Sequence, residues 1–274
     1  MTIVSLAAPG GGAGYPQALN KLLAPFKEMF LPAPASLIIY LGELYPAGPQ
    51  LGVNPHPALA ATLCAWAYEA GVAKIQLAAR AAPGFDFAYS WQMAGYDALN
   101  SSGAALIDLA HTPGLPRLSR LALTAGEFLL PQALLQAEFL INMAKFRAGS
   151  GRLFGSALHN LAALAHPRPA KANSARELVD LYSILLPDLH LVDALRGSGG
   201  WQPVAEDALL AATDAAALDM TLAAMAAVPL DSLEEITLTA QYGLGNAAVA
   251  DIILLGDTPA LFPEARGLKA GDGG

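Results

Sequence analysis

The chain has 274 residues, 54% of them hydrophobic and 14% charged, with a net charge of −8. It is long enough to bury a full core and too apolar for disorder, and its acidic balance argues against nucleic acid, which needs a broad basic face. Cys64 is the one cysteine. That excludes an intrachain disulfide framework and a four-cysteine zinc or iron–sulfur site. Mean hydropathy is high at +0.42, but prolines, glycines and acids interrupt every apolar run before the length that spans a bilayer. The first residues, MTIVSLAAPGGG, carry no basic segment of a signal peptide. A cytoplasmic protein is expected. The surplus apolar content is assigned to Ala and Leu richness and to the surface of a homo-oligomer or protein partner.

In chain order, Thr2–Ala7 reads as an apolar strand, followed by the glycine loop 9–14 and a helical pattern over Pro16–Phe30. Strand, glycine loop and helix is a phosphate-cradling layout, but the spacing of Gly10, Gly11, Gly12 and Gly14 lacks the dinucleotide pattern, so a plain turn stands beside it. Ser36–Leu41 (SLIIYL) is a buried strand. A Pro/Gly-rich loop then reaches His56-Pro57, where a helix opens over Pro57–Ala70 with proline in its first turn. Gly71 ends that helix and Val72–Ala79 is the next strand, so a βαβ unit is predicted. A short helix over Tyr89–Gly95 follows, then strands over Ala104–Leu109 and Leu118–Leu123, a helical turn over Gln132–Gln136, and a strand over Glu138–Asn142. Past it, the stretch holding Lys145, Arg147, Gly149 and Gly151 reads as a loop, and Gly155–Ala165 as an amphipathic helix ended by Pro167 and Pro169. Ser174–Leu185 is a helix with a capping box, Ser174 to Glu177. Leu189–Leu195 is a strand, Arg196–Pro203 a glycine-rich loop, Asp214–Val228 and Ser232–Tyr242 helices, and Ala250–Leu255 a last strand. The reading is an α/β fold: a mostly parallel sheet with helices on both faces, built from βαβ units. Residues 1–35 form a strand–loop–helix entry, 36–256 the α/β core, and 257–274 a loose tail.

One stretch departs from the overall charge. Residues 139–176 hold six Lys and Arg and no Asp or Glu, which leaves the rest of the chain at −14. A site for an anionic ligand and a solvated basic face both fit this composition. Lys145 and Arg147 follow a predicted strand end, where open α/β sheets bind ligands, and two cations there can grip a carboxylate or phosphate. His159, on the following helix, is an acid/base candidate; a hydrogen-bonded structural histidine is the other reading. Asn160 can supply an amide donor. Asp193, also at a strand end, is the carboxylate candidate, as a base or as the holder of a cation. His166 suits a helix C-terminal cap. His56 and His111, beside prolines, can share the rim. Asp219 reads as a buried structural hydrogen-bonder and Cys64 as an inert core thiol. Trp66, Trp91 and Trp201 read as core or interface residues, with Trp201, in the glycine loop, the one that could stack on a ligand. No metal is implied, because no HxH or HxxxH spacing is present. The sequence names no cofactor.

The order of these segments resembles domain-of-unknown-function family 362. The residues that carry it are PHPALAATLCAWAYEAG, MAGYDALNSSGAALIDL, NMAKFRAG followed by HNLAA, LVDAL with Asp193, ALDM with Asp219, and the Gly243–Gly245 turn. The family's central signature is Asn-x-Pro-Lys-x-Lys-x-His, then a Lys-Asn pair. Asn142, Lys145 and Asn160 match it, whereas Arg147 replaces the second Lys, Gly149 the His, and His159 the Lys of the pair. The resemblance implies the α/β fold and the location of a site at this stretch; the residue reading adds Asn142, Lys145, Arg147 and Asn160 as the ligand-binding candidates and Asp193 and His159 as the catalytic candidates. Many relatives carry a ferredoxin-like cysteine module, which this chain lacks, so no iron–sulfur cluster follows. The expectation is an enzyme or former enzyme that binds a small carboxylate or phosphate metabolite through a Lys145/Arg147 anion clamp. The departures support an alternative, a catalytically degenerate subunit or binding module within a complex.

Overall fold

The computed structural model describes residues 1–9, 14–124, 126–149, 152–154, 156–164, 174–195, 207–229, 232–257 and 269–270. The strands are β1 (Thr2–Ala7), β2 (Ser36–Leu44), β3 (Lys74–Ala81), β4 (Ala105–Asp108), β5 (Gly114–Leu118), β6 (Glu127–Pro131), β7 (Phe139–Lys145), β8 (Arg147–Gly149), β9 (Arg152–Phe154), β10 (Leu189–Ala194), β11 (Ala208–Ala212), β12 (Ile252–Gly256) and β13 (Lys269–Ala270). The α-helices are α1 (Tyr15–Leu23), α2 (Pro57–Glu69), α3 (Phe87–Met93), α4 (Gln132–Leu135), α5 (Ala157–Asn160), α6 (Ala175–Leu185), α7 (Ala215–Met225) and α8 (Glu234–Gln241). Among the described residues no helix is long and apolar enough to cross a membrane.

Among the described residues nine strands form one sheet in the order β13-β12-β1-β11-β10-β7-β2-β3-β4. Every neighbouring pair is parallel except the two that β11 makes, with β1 and β10. The order reverses between β2 and β7: the chain steps from β2 outward to β3 and β4, then returns to the other side of β2 for β7 and β10. In open α/β sheets such a reversal leaves a crevice at the carboxyl ends of the two strands, because the connections depart in opposite directions. Here those ends are Leu41–Leu44 and Ala144–Lys145.

Side-chain alternation divides the core into two layers. Leu37, Ile39 and Leu41 of β2, Phe139, Ile141 and Met143 of β7 and Leu189 and Leu191 of β10 pack with α1, α2 and the aromatic pair Trp91 and Tyr96. Ile38 and Tyr40, Leu140 and Ala144, and Val192 and Ala194 pack on the opposite face with α5, α6 and α7. These central strands are buried on both faces, as expected for a parallel sheet covered by helices. The α/β architecture with helices on both faces therefore matches the sequence reading.

Local differences have physical causes. The helical pattern after the glycine loop is α-helical only to Leu23 and continues as a 3-10 helix over Ala24–Phe30, where Pro25 cannot donate an i→i−4 bond. The strand expected over Leu118–Leu123 is displaced. β5 ends at Leu118 and pairs with β6 in a hairpin, and beyond it the buried Asp180 carboxylate accepts from Leu123 N (3.2 Å), Thr124 N (2.8 Å) and Thr124 Oγ1 (2.8 Å), donors that a strand partner would otherwise use. The expected loop after Lys145 is a hairpin of β8 and β9. The helix expected over Gly155–Ala165 has one α-turn, α5, then a 3-10 turn over Leu161–Leu164. β11 (ALLAA) had no counterpart in the sequence reading: all five residues are buried, so no polar alternation marks it. The N-cap half of the capping box is present, with Ser174 Oγ accepting from Glu177 N at 3.2 Å. Residues 10–13 and 196–206, with the expected loop Arg196–Pro203 and its Trp201, and His166 lie outside the described residues.

Candidate functional site

β7 and β10 run side by side in parallel with Asn142 opposite His190 and Lys145 opposite Asp193. Because residues alternate along a strand, Lys145 and Asp193 fall on the face shared with α1 and α2, and Asn142 and His190 on the face shared with α5. The sheet thus separates the candidate residues into two groups.

On the first face the Lys145 ammonium, 5% exposed, donates to Asp193 Oδ1 at 2.9 Å and to the Leu195 carbonyl at 2.6 Å. Asp193 is fully buried. Its Oδ1 also accepts from Leu195 N (2.9 Å), and its Oδ2 accepts from His56 N at 2.7 Å. Both carboxylate oxygens are therefore engaged, which suits the holding of a cation. His56 is the N-cap of α2, and its ring lies 5.6 Å from that of Tyr15 at the start of α1. Burial pushes the Tyr15 hydroxyl above its ordinary pKa, with Asp193 and Asp207 adding to the shift.

On the second face Asn142, fully buried, donates through Nδ2 to the Ala157 carbonyl (2.7 Å) and contacts His190 Nδ1 at 3.0 Å. Asn160 Nδ2 donates to Asn142 Oδ1 at 2.8 Å, and the Asn160 carbonyl accepts from Tyr40 Oη at 3.0 Å. Gly42, in the left-handed region (φ 81°), faces Asn160: a Cβ there would stand 2.0 Å from Asn160 Oδ1. The reversal point of the sheet is thus closed on this face by the two asparagines. Burial lowers the His190 pKa to about 3, so the ring is neutral, and its Nε2 has no partner among the described residues. His159 lies at the end of α5, with Nδ1 3.4 Å from Ser156 Oγ and 3.6 Å from Glu235 Oε1. Asp219 is buried and accepts from Ala157 N (2.8 Å) and Leu158 N (3.0 Å). Burial outweighs these bonds and raises its pKa to about 7.

Arg147 opens β8 just past Lys145. Its guanidinium lies 5.7 Å from the Tyr45 ring centroid, and its buried Nε has no hydrogen-bond partner among the described residues. Burial lowers its pKa, opposed by Tyr45 and Glu43. Glu43, at the end of β2, also lines a cavity of about 740 Å³ at the carboxyl ends of β2, β3 and β4. Arg80, Asp86, Asp108 and His111 share that lining. His111 Nδ1 is 2.6 Å from Asp108 Oδ2. Glu43, which lines this cavity, also acts on the Arg147 guanidinium and so links the cavity to the start of β8. Sequence reasoning placed His56 and His111 at the rim but gave no signal for Tyr15, Glu43 or Arg80. Cys64 is buried and its thiol is pushed up to about 12.

A family model described as Domain of unknown function (DUF362) matches residues 43–224. The chain belongs to this family. Among solved structures, the lactate racemase apoprotein from Thermoanaerobacterium thermosaccharolyticum is similar with a TM-score of 0.43 and 12% sequence identity. The alignment covers 82% of this chain and 58% of that one, so the chain spans little more than half of its length. No curated protein matches the sequence.

Proposed function

We propose that this member of the family binds a small anionic metabolite, a carboxylate or phosphate, at the carboxyl edge of the sheet beside the β2–β7 reversal. One observation carries the reading: Arg147 sits at that edge with a buried Nε that has no partner among the described residues. A desolvated guanidinium edge with an unused donor is costly unless an acceptor fills it, and its fork matches a carboxylate or phosphate. Lys145 supplies a second cation. Among the described residues two of its three N–H bonds go to Asp193 and Leu195, which leaves one for a ligand. Asp193 fixes Lys145, and Asn142 and Asn160 brace the far side of the same strand end. His159, beside Glu235, lies on the α5 face that the two asparagines close, so this reading gives it no step at the anion.

The test is thermal stabilisation of the full chain by inorganic phosphate and by citrate. The wild type gains melting temperature with millimolar anion, Arg147→Ala loses the gain, and Arg147→Lys keeps part of it. An Arg147→Ala protein that responds as the wild type does would sink the reading. The alternative, a binding module within a complex, draws on the open edge strand β4, with Leu106 42% exposed, and on Leu118 of the adjoining hairpin, 70% exposed. An exposed apolar edge is a surface for partner strands. Light scattering that shows a monomer at all concentrations removes self-association through that edge.

A further inference from the structure

His56 lies outside the pair of cations just described, yet several constraints converge on it. Its main chain is fixed by the bond from His56 N to Asp193 Oδ2 (2.7 Å) and by the bond from the buried Tyr96 hydroxyl to the Pro55 carbonyl (2.7 Å). Two residues earlier, Asn54 brackets Tyr45 at the end of β2: Oδ1 accepts from Tyr45 N and Nδ2 donates to Tyr45 O, both at 2.9 Å. The ring is fixed as well. Nδ1 accepts from Ala58 N at 3.2 Å. A backbone N–H can only donate, so Nδ1 carries the lone pair and the ring hydrogen resides on Nε2. Tyr15 stands against the ring at 41°. Burial, reinforced by Lys145 and opposed by Asp193, holds the imidazole below its ordinary pKa, so it stays neutral near neutral pH. A neutral imidazole with a fixed tautomer is a donor that can polarise a carbonyl without giving up its proton.

We propose that His56 donates a hydrogen bond through Nε2–H to the carbonyl oxygen of a small 2-oxo carboxylate, whose acid group is held by the cations at the strand ends. The inference rests on the anion-binding reading and names the substrate class for it. Lys145 and His56 are joined through one carboxylate, Asp193, which receives the ammonium on Oδ1 and the His56 main chain on Oδ2. A charged donor and a neutral donor are thereby held on a common support. A carboxylate with an adjacent carbonyl has one group for each.

The test uses the full chain labelled with ¹⁵N, titrated near neutral pH with pyruvate, acetate and inorganic phosphate. His56 should show one protonated and one unprotonated ring nitrogen, with the proton on Nε2, and pyruvate should move the Nε2 resonance whereas acetate does not. His56→Asn keeps a side-chain acceptor for Ala58 N, because asparagine is itself a good N-cap, but removes the Nε2 donor. It should weaken pyruvate by about tenfold, as the loss of one hydrogen bond to a polarised oxygen does, and leave acetate and phosphate within about twofold. A doubly protonated ring, a proton on Nδ1, or equal weakening of all three probes overturns the inference. If acetate or phosphate binds and pyruvate leaves Nε2 unmoved, the inference about His56 fails and the anion-binding reading stands. If no probe binds, both fail.

Discussion

The two faces of β7 and β10 use buried polar groups in opposite ways. On the α1–α2 face, Lys145 and Asp193 form a charged pair with Asp193 fully buried and Lys145 5% exposed. On the α5 face, Asn142, Asn160 and His190 form a network without net charge, because His190 is held neutral. A buried ion pair owes its persistence to completeness, since each charge needs every bond it has. A network of amides distributes smaller terms over more partners. The first face therefore concentrates its energetic risk in one carboxylate, next to the donors left for a ligand. The second holds the strand end in place.

Removal of that carboxylate should give the largest effect. Asp193→Ala leaves the Lys145 ammonium buried with only the Leu195 carbonyl and strips the acceptor from His56 N and Leu195 N. Breaking one side of a buried pair costs about 3–5 kcal/mol, to be read from urea unfolding. The double variant Lys145→Met, Asp193→Leu removes both charges and should recover a substantial part of that loss. If the single variant is no less stable than the double, the pair is not the source of the cost and the contrast between the faces is lost.

The neutral face should respond less. Asn142→Leu fits the apolar surroundings but deprives Asn160 Nδ2 of its 2.8 Å acceptor and the Ala157 carbonyl of its 2.7 Å donor. Unsatisfied buried groups of this kind cost about 1–3 kcal/mol. A cost as large as that of Asp193→Ala would erase the difference. Melting curves of the two variants side by side decide it.

The contrast also marks what the sequence could reveal. Runs such as SLIIYL and LHLVDAL, the Ser174 N-cap and the His56-Pro57 helix start are local signals, and they appear where expected. β11 escaped because Ala208–Ala212 is buried on both faces and made of helix formers, which leaves neither polar alternation nor β-propensity. At the site, Lys145, Arg147 and Asp193 stood out as charges at strand ends. Which face each one occupies depends on strand register, and the Lys145–Asp193 pair joins residues 48 positions apart. Asn142 and Asn160 came from the family pattern, and their mutual bond comes from α5 folding back over β7. Tyr15 and Glu43 carried no signal, because their place at the rim depends on how α1 and β2 end.

Asp219, which ties α7 to the first turn of α5, gives the smallest change at neutral pH and a distinctive pH profile. Asparagine keeps one acceptor for Ala157 N and Leu158 N and sets an amide against the other, a loss of about 1 kcal/mol. The pH dependence separates this from packing. Burial raises the carboxyl from 3.8 to about 7, so the folded state binds the proton more tightly than the unfolded chain. Its contribution is fully present below pH 3.8 and is lost as pH rises through about 7. His190 runs the other way. Its pKa falls from 6.5 to about 3, so its contribution is present above pH 6.5 and is lost as pH falls through about 3. Between pH 4 and 6.5 the two groups oppose each other, and wild-type stability should be comparatively flat. Asp219→Asn removes the rising arm on the acid side, so the variant should lose stability more steeply than the wild type as pH falls through this window. Parallel wild-type and variant profiles in urea unfolding would show that Asp219 does not titrate there, and that its carboxylate is held charged by the two backbone donors of α5.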